Sequence, residues 1–124
     1  MTPADFDALV ARALGRIPIK FRKLLDNVVL VVEPEPQRSG LLGLYEGRPR
    51  TQRSVSEPFA LPDRITIYQG PHERAANSHD DLERIVADTV WHEIAHHFGM
   101  DEPQVRRAEL RREARRLRRT PRRL

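Results

Sequence analysis

Cysteine is absent from the 124-residue sequence, and this absence narrows the possible chemistry. A chain without thiols forms no disulfide bonds, offers no thiolate to a metal and contains no cysteine nucleophile. Any metal ion must therefore be held by nitrogen and oxygen atoms, and nothing points to an oxidising compartment.

Long apolar segments are also missing. The longest purely aliphatic run covers residues 28–32, far fewer than the roughly 20 residues that a membrane-spanning helix needs. The N-terminal MTPADFDALV lacks the basic and then apolar pattern of a signal peptide. We therefore expect a soluble, cytoplasmic protein that has no membrane partner.

The net charge of +4 is distributed unevenly. Residues 106–124 carry ten arginines against two glutamates, a net of +8, which leaves residues 1–105 at −4. A chain of this length forms one modest core, so we predict a single domain over residues 1–105 and an arginine-rich C-terminal helix or tail over 106–124.

The basic segment from Arg106 to Arg123 has two interpretations. It is a solvated helix, or it attracts nucleic acid or an acidic partner surface through its positive charge. No aromatic residue is interleaved for base stacking, so any nucleic-acid binding would be weak, nonspecific and electrostatic.

Apolar spacing in the first third of the chain predicts a helix, a helical turn and a strand. Thr2 can cap a helix over residues 3–14, whose apolar residues recur at helical spacing. Pro18 can open a short helical turn that carries Phe21, Leu24 and Leu25. Residues 28–33 are apolar and β-branched, which predicts a strand buried on both faces.

The middle of the chain is predicted to be mostly loop. Residues 34–63 are rich in Pro, Gly, Ser and Arg, and only residues 41–45 are apolar enough to pair as a short strand. Residues 64–69 alternate apolar and polar, which predicts a half-buried strand that ends at Gly70 and Pro71, with one side free to face a cleft.

Two helices are predicted near the C-terminus. Ser78 can cap a helix over residues 79–98 that stops at Gly99. Asp101 can cap a last helix, whose weak apolar stripe is Val105, Leu110, Ala114 and Leu117.

The stretch WHEIAHHFGMDE carries a metal-binding pattern within the first of these helices. Positions i and i+4 project from the same helix face, so His92 and His96 can direct two imidazole nitrogens at one point. Glu93 lies about 100° round the helix, where a carboxylate can accept a proton from a water activated by the metal. The alternative is that these residues occur by chance on a polar face of the helix. The location of the motif on a capped and otherwise apolar helix argues against this alternative.

A catalytic zinc site needs a third protein ligand. The extended pattern H-E-x-x-H-x-x-G-x-x-H predicts it three residues after the glycine, and Glu102 occupies that position. Asp101 is the alternative third ligand, although its simpler role is to cap the next helix.

The remaining histidines and one tyrosine have plainer interpretations. His97 points away from the two ligand histidines, so we expect it to hydrogen-bond or pack. His72 and His79 lie in or beside the loop before the helix and are expected to be surface residues. Tyr68 is expected to pack its ring against the fold, in preference to donating a hydrogen bond to an oxyanion.

Four segments, in this order, resemble the small bacterial zincin-like metallopeptidase family: LLDNVVLVVEPEP, LLGLYEGRPRTQRS, LPDRITIYQGP and WHEIAHHFGMDE. The resemblance covers residues 17–105 and implies a compact α+β domain, with a small mixed sheet packed on the motif helix. It also implies zinc at His92 and His96, Glu93 as general base and an acidic residue after the glycine. Family members generally carry Asp near that position, whereas this chain offers Glu102 beside Asp101. The arginine tail is not a feature of the family core.

We therefore expect a zinc-dependent metallopeptidase that hydrolyses peptide or protein substrates through a metal-activated water, with Glu93 as the base. In zincins the strand beside the motif helix typically pairs with extended substrate, and residues 64–69 are the candidate for that edge. The alternative is a metal-stabilised, non-catalytic binding module, with nucleic-acid association through the tail.

Overall fold

The computed structural model describes residues 1–47 and 61–99, together with five later positions: Pro103, Arg107, Leu110, Arg111 and Ala114. The elements are α1 (Pro3–Gly15), α2 (Ile19–Arg22), β1 (Val28–Glu33), β2 (Gly43–Glu46), β3 (Asp63–Tyr68), α3 (Gln69–Ala75) and α4 (His79–His97). The predicted α+β class with a small mixed sheet is confirmed, and these elements form one compact domain.

Helix α1 begins where its capping residues predict. The Thr2 hydroxyl accepts a hydrogen bond from the Asp5 N–H at 3.1 Å, and the Thr2 N–H donates to the Asp5 carboxylate at 3.4 Å. Pro3 occupies the first helical position, where a missing N–H costs no helical hydrogen bond. The apolar face of α1 packs on α4 and buries Phe6 and Leu9. The predicted helix over 3–14 is confirmed and extends one residue further.

The one-turn helix α2 confirms the turn predicted after Pro18. Phe21 meets the Trp91 ring edge-on, with ring centroids 5.6 Å apart, and this contact joins α2 to α4.

Strand β3 lies in the middle of the three-stranded sheet, in the order β1-β3-β2. It pairs in parallel with β1 and antiparallel with β2. The central position corrects the prediction of a half-buried strand: Thr66 and Tyr68, on the face opposite Ile67, are only 2% and 8% exposed. It also corrects the choice of residues 64–69 as a sheet edge, because both sides of β3 already carry a strand.

Strand β1 has the predicted bounds but not the predicted burial. It lies at an edge of the described sheet, and Val29 is 44% exposed. Apolar, β-branched composition alone therefore overestimated how much of this strand is covered.

Helix α3 was not predicted. The sequence indicated a strand that ends in a turn at Gly70 and Pro71, but both residues lie in the first turn of a helix that follows β3 directly. A proline is tolerated there because first-turn N–H groups have no acceptor within the helix.

Helix α4 carries the histidine pair and confirms the helix predicted over 79–98. The Ser78 hydroxyl accepts from the Asp81 N–H at 3.1 Å, and Gly99 ends the helix with a φ of +82°. The core lies between α1, α4 and one face of the sheet. Its fully buried large side chains include Phe6, Leu9, Ile65, Ile67, Val86, Val90 and Ile94.

The last predicted helix falls mostly outside the described residues. Pro103, Arg107, Leu110, Arg111 and Ala114 are helical and exposed, whereas Asp101, Val105 and Leu117 lie outside the described part. Among the residues described, no helix has both the length and the apolar character that crossing a bilayer requires.

Candidate metal centre

The spacing of His92 and His96 fits a shared metal ion. Their Nε2 atoms lie 3.2 Å apart, one helical turn from each other on α4. Two imidazole nitrogens that bind one tetrahedral zinc at 2.0–2.1 Å would be about 3.3 Å apart. One candidate ligand atom from each of His92, Glu93 and His96 lies within 4.8 Å of the others. The structure therefore brings the predicted trio together in a cluster that could hold a metal ion.

Glu93 lies on α4, beside the edge of the sheet that β2 forms. Its side chain is buried, at 7% exposure, and strand β2 passes close to it. A Cβ atom at Gly43 would lie 2.7 Å from Thr89 Cγ2 and 3.2 Å from Glu93 Cγ. Glycine at this position lets the strand approach the helix. The sequence analysis missed Gly43, although a glycine inside a short strand pattern was the available signal.

A cleft of about 410 Å³ adjoins His92 and Glu93. It lies between residues 40–43 and one face of α4, with aliphatic walls from Leu41, Leu42 and Ile85. Arg84 and Asp88 also line it, with an Nη1 to Oδ2 distance of 3.5 Å. Since His92 and Glu93 form part of its lining, the cleft opens directly beside the candidate metal cluster.

The third metal ligand stays a prediction. Glu102 and Asp101 both lie outside the described residues. Gly99, which has a φ of +82°, follows the end of α4, and only Met100 separates it from Asp101.

His97 is not part of the metal cluster, and the prediction of a packing and hydrogen-bonding role is confirmed. The ring is fully buried, and its Nδ1 lies 2.9 Å from the Asp63 Oδ2. The Asp26 N–H points at its Nε2 over 3.5 Å. These partners favour the tautomer that carries the proton on Nδ1 and donates it to Asp63. The same carboxylate oxygen accepts from the Tyr45 hydroxyl at 2.5 Å.

We call Tyr45, Asp63 and His97 the Asp63 network. Asp63 is 3% exposed, and a side chain at Gly47 would collide with its carboxylate. The network joins β2, the start of β3 and the end of α4. Neither Tyr45 nor Asp63 was singled out from the sequence, because each is an ordinary residue in its own strand until the sheet is paired.

His72 corrects the prediction of a surface histidine. It lies on α3 and is fully buried, with Nδ1 2.6 Å from the Tyr68 carbonyl and Nε2 2.9 Å from the Thr89 hydroxyl. Burial lowers the pKa of His72, against a smaller opposite effect from the Tyr68 carbonyl. Because a carbonyl oxygen can only accept, Nδ1 of His72 carries a proton and donates it to the Tyr68 carbonyl. The prediction was wrong because α3, which was not foreseen, packs on α4.

The other two interpretations are supported by the structure. His79 is exposed and lies 3.4 Å from the Glu83 carboxylate. The Tyr68 side chain is buried in β3, as the packing interpretation requires.

Comparison with known proteins connects this geometry to a family. The model of a family described as zincin-like metallopeptidase matches residues 25–112. The chain is also similar to a solved structure, a conserved hypothetical protein from T. thermophilus, with 31% sequence identity and a TM-score of 0.53. That similarity covers 79% of this chain and 94% of the other. A search of curated proteins finds no match.

Proposed function

Because the chain belongs to the zincin-like metallopeptidase family, we propose that it is a zinc-dependent peptidase with His92 and His96 as metal ligands and Glu93 as general base. The observation that carries the proposal is the 3.2 Å separation of the two Nε2 atoms, with the Glu93 carboxylate in the same cluster. Glu102, or Asp101 in its place, completes the proposed ligand set.

Each residue of the cluster has a distinct role. When bound, zinc polarises the substrate carbonyl and makes a water more acidic. Glu93 takes a proton from the attacking water and delivers it to the amide nitrogen as the C–N bond breaks. The burial of Glu93 beside Gly43 restricts the conformations of the carboxylate, which favours proton transfer at one place.

The substrate is proposed to bind along β2. Strand β3 is unsuitable because β1 and β2 occupy both of its sides. In the described sheet, the outer side of β2 carries no strand, and β2 is the strand whose Gly43 approaches Glu93. An extended peptide that pairs there would place its backbone beside the cluster and a side chain in the adjoining cleft.

The proposal is tested by zinc content and by cleavage of an unfolded protein, with Glu93→Gln as the critical variant. We expect Glu93→Gln to bind zinc like the wild type while its turnover falls by about 100-fold or more, the usual contribution of a general base. The matched control is Glu33→Gln on β1, at the opposite edge of the sheet, where the Glu33 side chain is 47% exposed. Undiminished cleavage by Glu93→Gln would refute the mechanism.

The same measurements separate the peptidase from a metal-stabilised binding module. A protein that binds zinc and is stabilised by it, but cleaves no unfolded substrate, would be such a module. Cleavage that requires both zinc and Glu93 supports the peptidase.

A further inference from the structure

A tyrosine ring stacks beside one of the two candidate metal ligands. The ring centroids of Tyr45 and His96 lie 6.4 Å apart, and the two planes differ by only 24°. We propose that Tyr45 is a positioning residue for His96, which sets the orientation of the imidazole and thereby the metal affinity of the centre. This inference rests on the proposed metal ligation by His92 and His96, and it does not depend on turnover.

The need for such a residue follows from the freedom of a histidine side chain. A helix restricts the first side-chain torsion, but the second torsion of histidine is broad, so the backbone alone does not orient the ring. Only some orientations of His96 place its Nε2 3.2 Å from that of His92. A neighbouring ring that is itself held in place selects among them.

Tyr45 is held in place by the Asp63 network. Its hydroxyl donates to Asp63 Oδ2 at 2.5 Å, and the same oxygen lies 2.9 Å from Nδ1 of the buried His97. The Tyr45 ring also meets the His97 ring at 65°, with centroids 6.3 Å apart. The tyrosine is therefore fixed at its hydroxyl and along its ring, in the position from which it stacks beside His96.

Asp63 is anchored independently of the metal cluster. Its N–H donates to the Asn27 carbonyl at 2.8 Å, and its pairing with β1 begins at Val28. The absence of a side chain at Gly47 leaves room for its carboxylate. The two consecutive histidines therefore have different roles. His96 faces the candidate metal site, whereas His97 faces the sheet and belongs to the Asp63 network, which holds Tyr45 beside His96.

The test measures Zn²⁺ affinity of the full chain by competition with a chromophoric chelator. Tyr45→Leu removes the ring, and we expect it to weaken Zn²⁺ binding by up to about 100-fold. Tyr45→Phe keeps the ring but loses the hydrogen bond to Asp63, and we expect it to weaken binding by about tenfold. The visible absorption of the Co²⁺-loaded variants should change in the same order. A purely structural role for Tyr45 would lower stability without changing the Co²⁺ spectrum of the folded protein.

Two controls isolate the ring contact. Leu44→Ala perturbs the same strand on its other face, and Tyr68→Phe removes the hydroxyl of the only other tyrosine in the chain. Both should bind Zn²⁺ like the wild type, with circular dichroism to verify folding. Equal losses in Leu44→Ala and Tyr45→Leu would overturn the proposal, since general loosening of β2 would then explain both.

The remaining outcomes are also decisive. Wild-type affinity and an unchanged Co²⁺ spectrum in Tyr45→Leu would overturn the proposal. If that variant fails to fold, the same result in Tyr45→Phe overturns it. A wild-type chain that binds no Zn²⁺ overturns this proposal and the metal centre together. Zn²⁺ binding without peptide cleavage removes only the peptidase and leaves the role of Tyr45 intact.

Discussion

Replacement of Asp63 by alanine should destabilise the metal-free protein severely. The substitution removes the acceptor of two hydrogen bonds: a part-buried one from the Tyr45 hydroxyl at 2.5 Å and a buried one from His97 Nδ1 at 2.9 Å. It also leaves the fully buried His97 ring without that partner. Because three elements meet at this carboxylate, the loss affects the attachment of α4 to the sheet.

The magnitude follows from the burial of the network. A hydrogen bond to a charged group contributes about 1.5–3 kcal/mol, and a buried polar group left without a partner adds to the cost. For two such bonds we expect the free energy of unfolding to fall by about 3–5 kcal/mol. Domains are typically stable by only about 5–15 kcal/mol, so the melting temperature should fall by roughly 10–20 °C.

The assay is urea unfolding and calorimetry of the metal-free chain. Asp63→Asn should cost less, about 1–2 kcal/mol, because its amide oxygen still accepts from one donor. Asp7→Ala, an exposed aspartate on α1, is the matched control and should stay within about 0.5 kcal/mol of the wild type. A loss below about 1 kcal/mol in Asp63→Ala would show that the network does not hold the fold together as reasoned.

Three further predictions follow from the site. Gly43→Val should lower turnover by about 100-fold while Zn²⁺ affinity stays near that of the wild type, because the new side chain would collide with Thr89 and push against Glu93, and neither histidine is among its three nearest contacts. Equal losses of turnover and of Zn²⁺ affinity would contradict this. Because the pKa of His72 is lowered in the folded state, the unfolded chain takes up a proton at a higher pH than the folded chain does. The stability contribution is therefore full above the unfolded pKa of 6.5 and is lost as the pH drops below it. Urea unfolding of the metal-free protein at several pH values should show that His72→Gln loses less stability than the wild type as the pH is lowered. An identical dependence of stability on pH in the two proteins would refute the lowered pKa of His72. Zinc at 100 times its Kd should stabilise the folded protein by about 2.7 kcal/mol, so its removal by a chelator should lower the melting temperature by roughly 10 °C. An unchanged melting temperature would argue against a metal centre.

Local features of the fold were predictable from neighbouring residues. The capping box of Thr2 and Asp5, the Ser78 cap and the glycine after α4 set helix ends within about one residue, because each contact spans at most four positions. The positions of His92, Glu93 and His96 follow from the helical repeat alone. The resemblance to a family added the mixed sheet, which no local pattern shows.

The order of the strands was not predictable in this way. Residues 64–69 alternate like a half-buried strand, and only pairing with β1 on one side and β2 on the other makes β3 central. Backbone pairing joins segments that are distant along the chain, and side-chain alternation carries no information on which strands become neighbours. The choice of substrate edge was wrong for that reason.

The sequence by itself determined which residues form the candidate metal cluster, since His92, Glu93 and His96 lie on one helix at spacings of one and four residues. Only the tertiary structure decided what holds that trio in place. Tyr45 meets Asp63 across 18 residues, Asp63 meets His97 across 34, and His72 reaches Thr89 across 17. Such contacts arise when the sheet and α3 pack on α4, and their partners are brought together by burial of the shared core and not by any preference of the residues themselves.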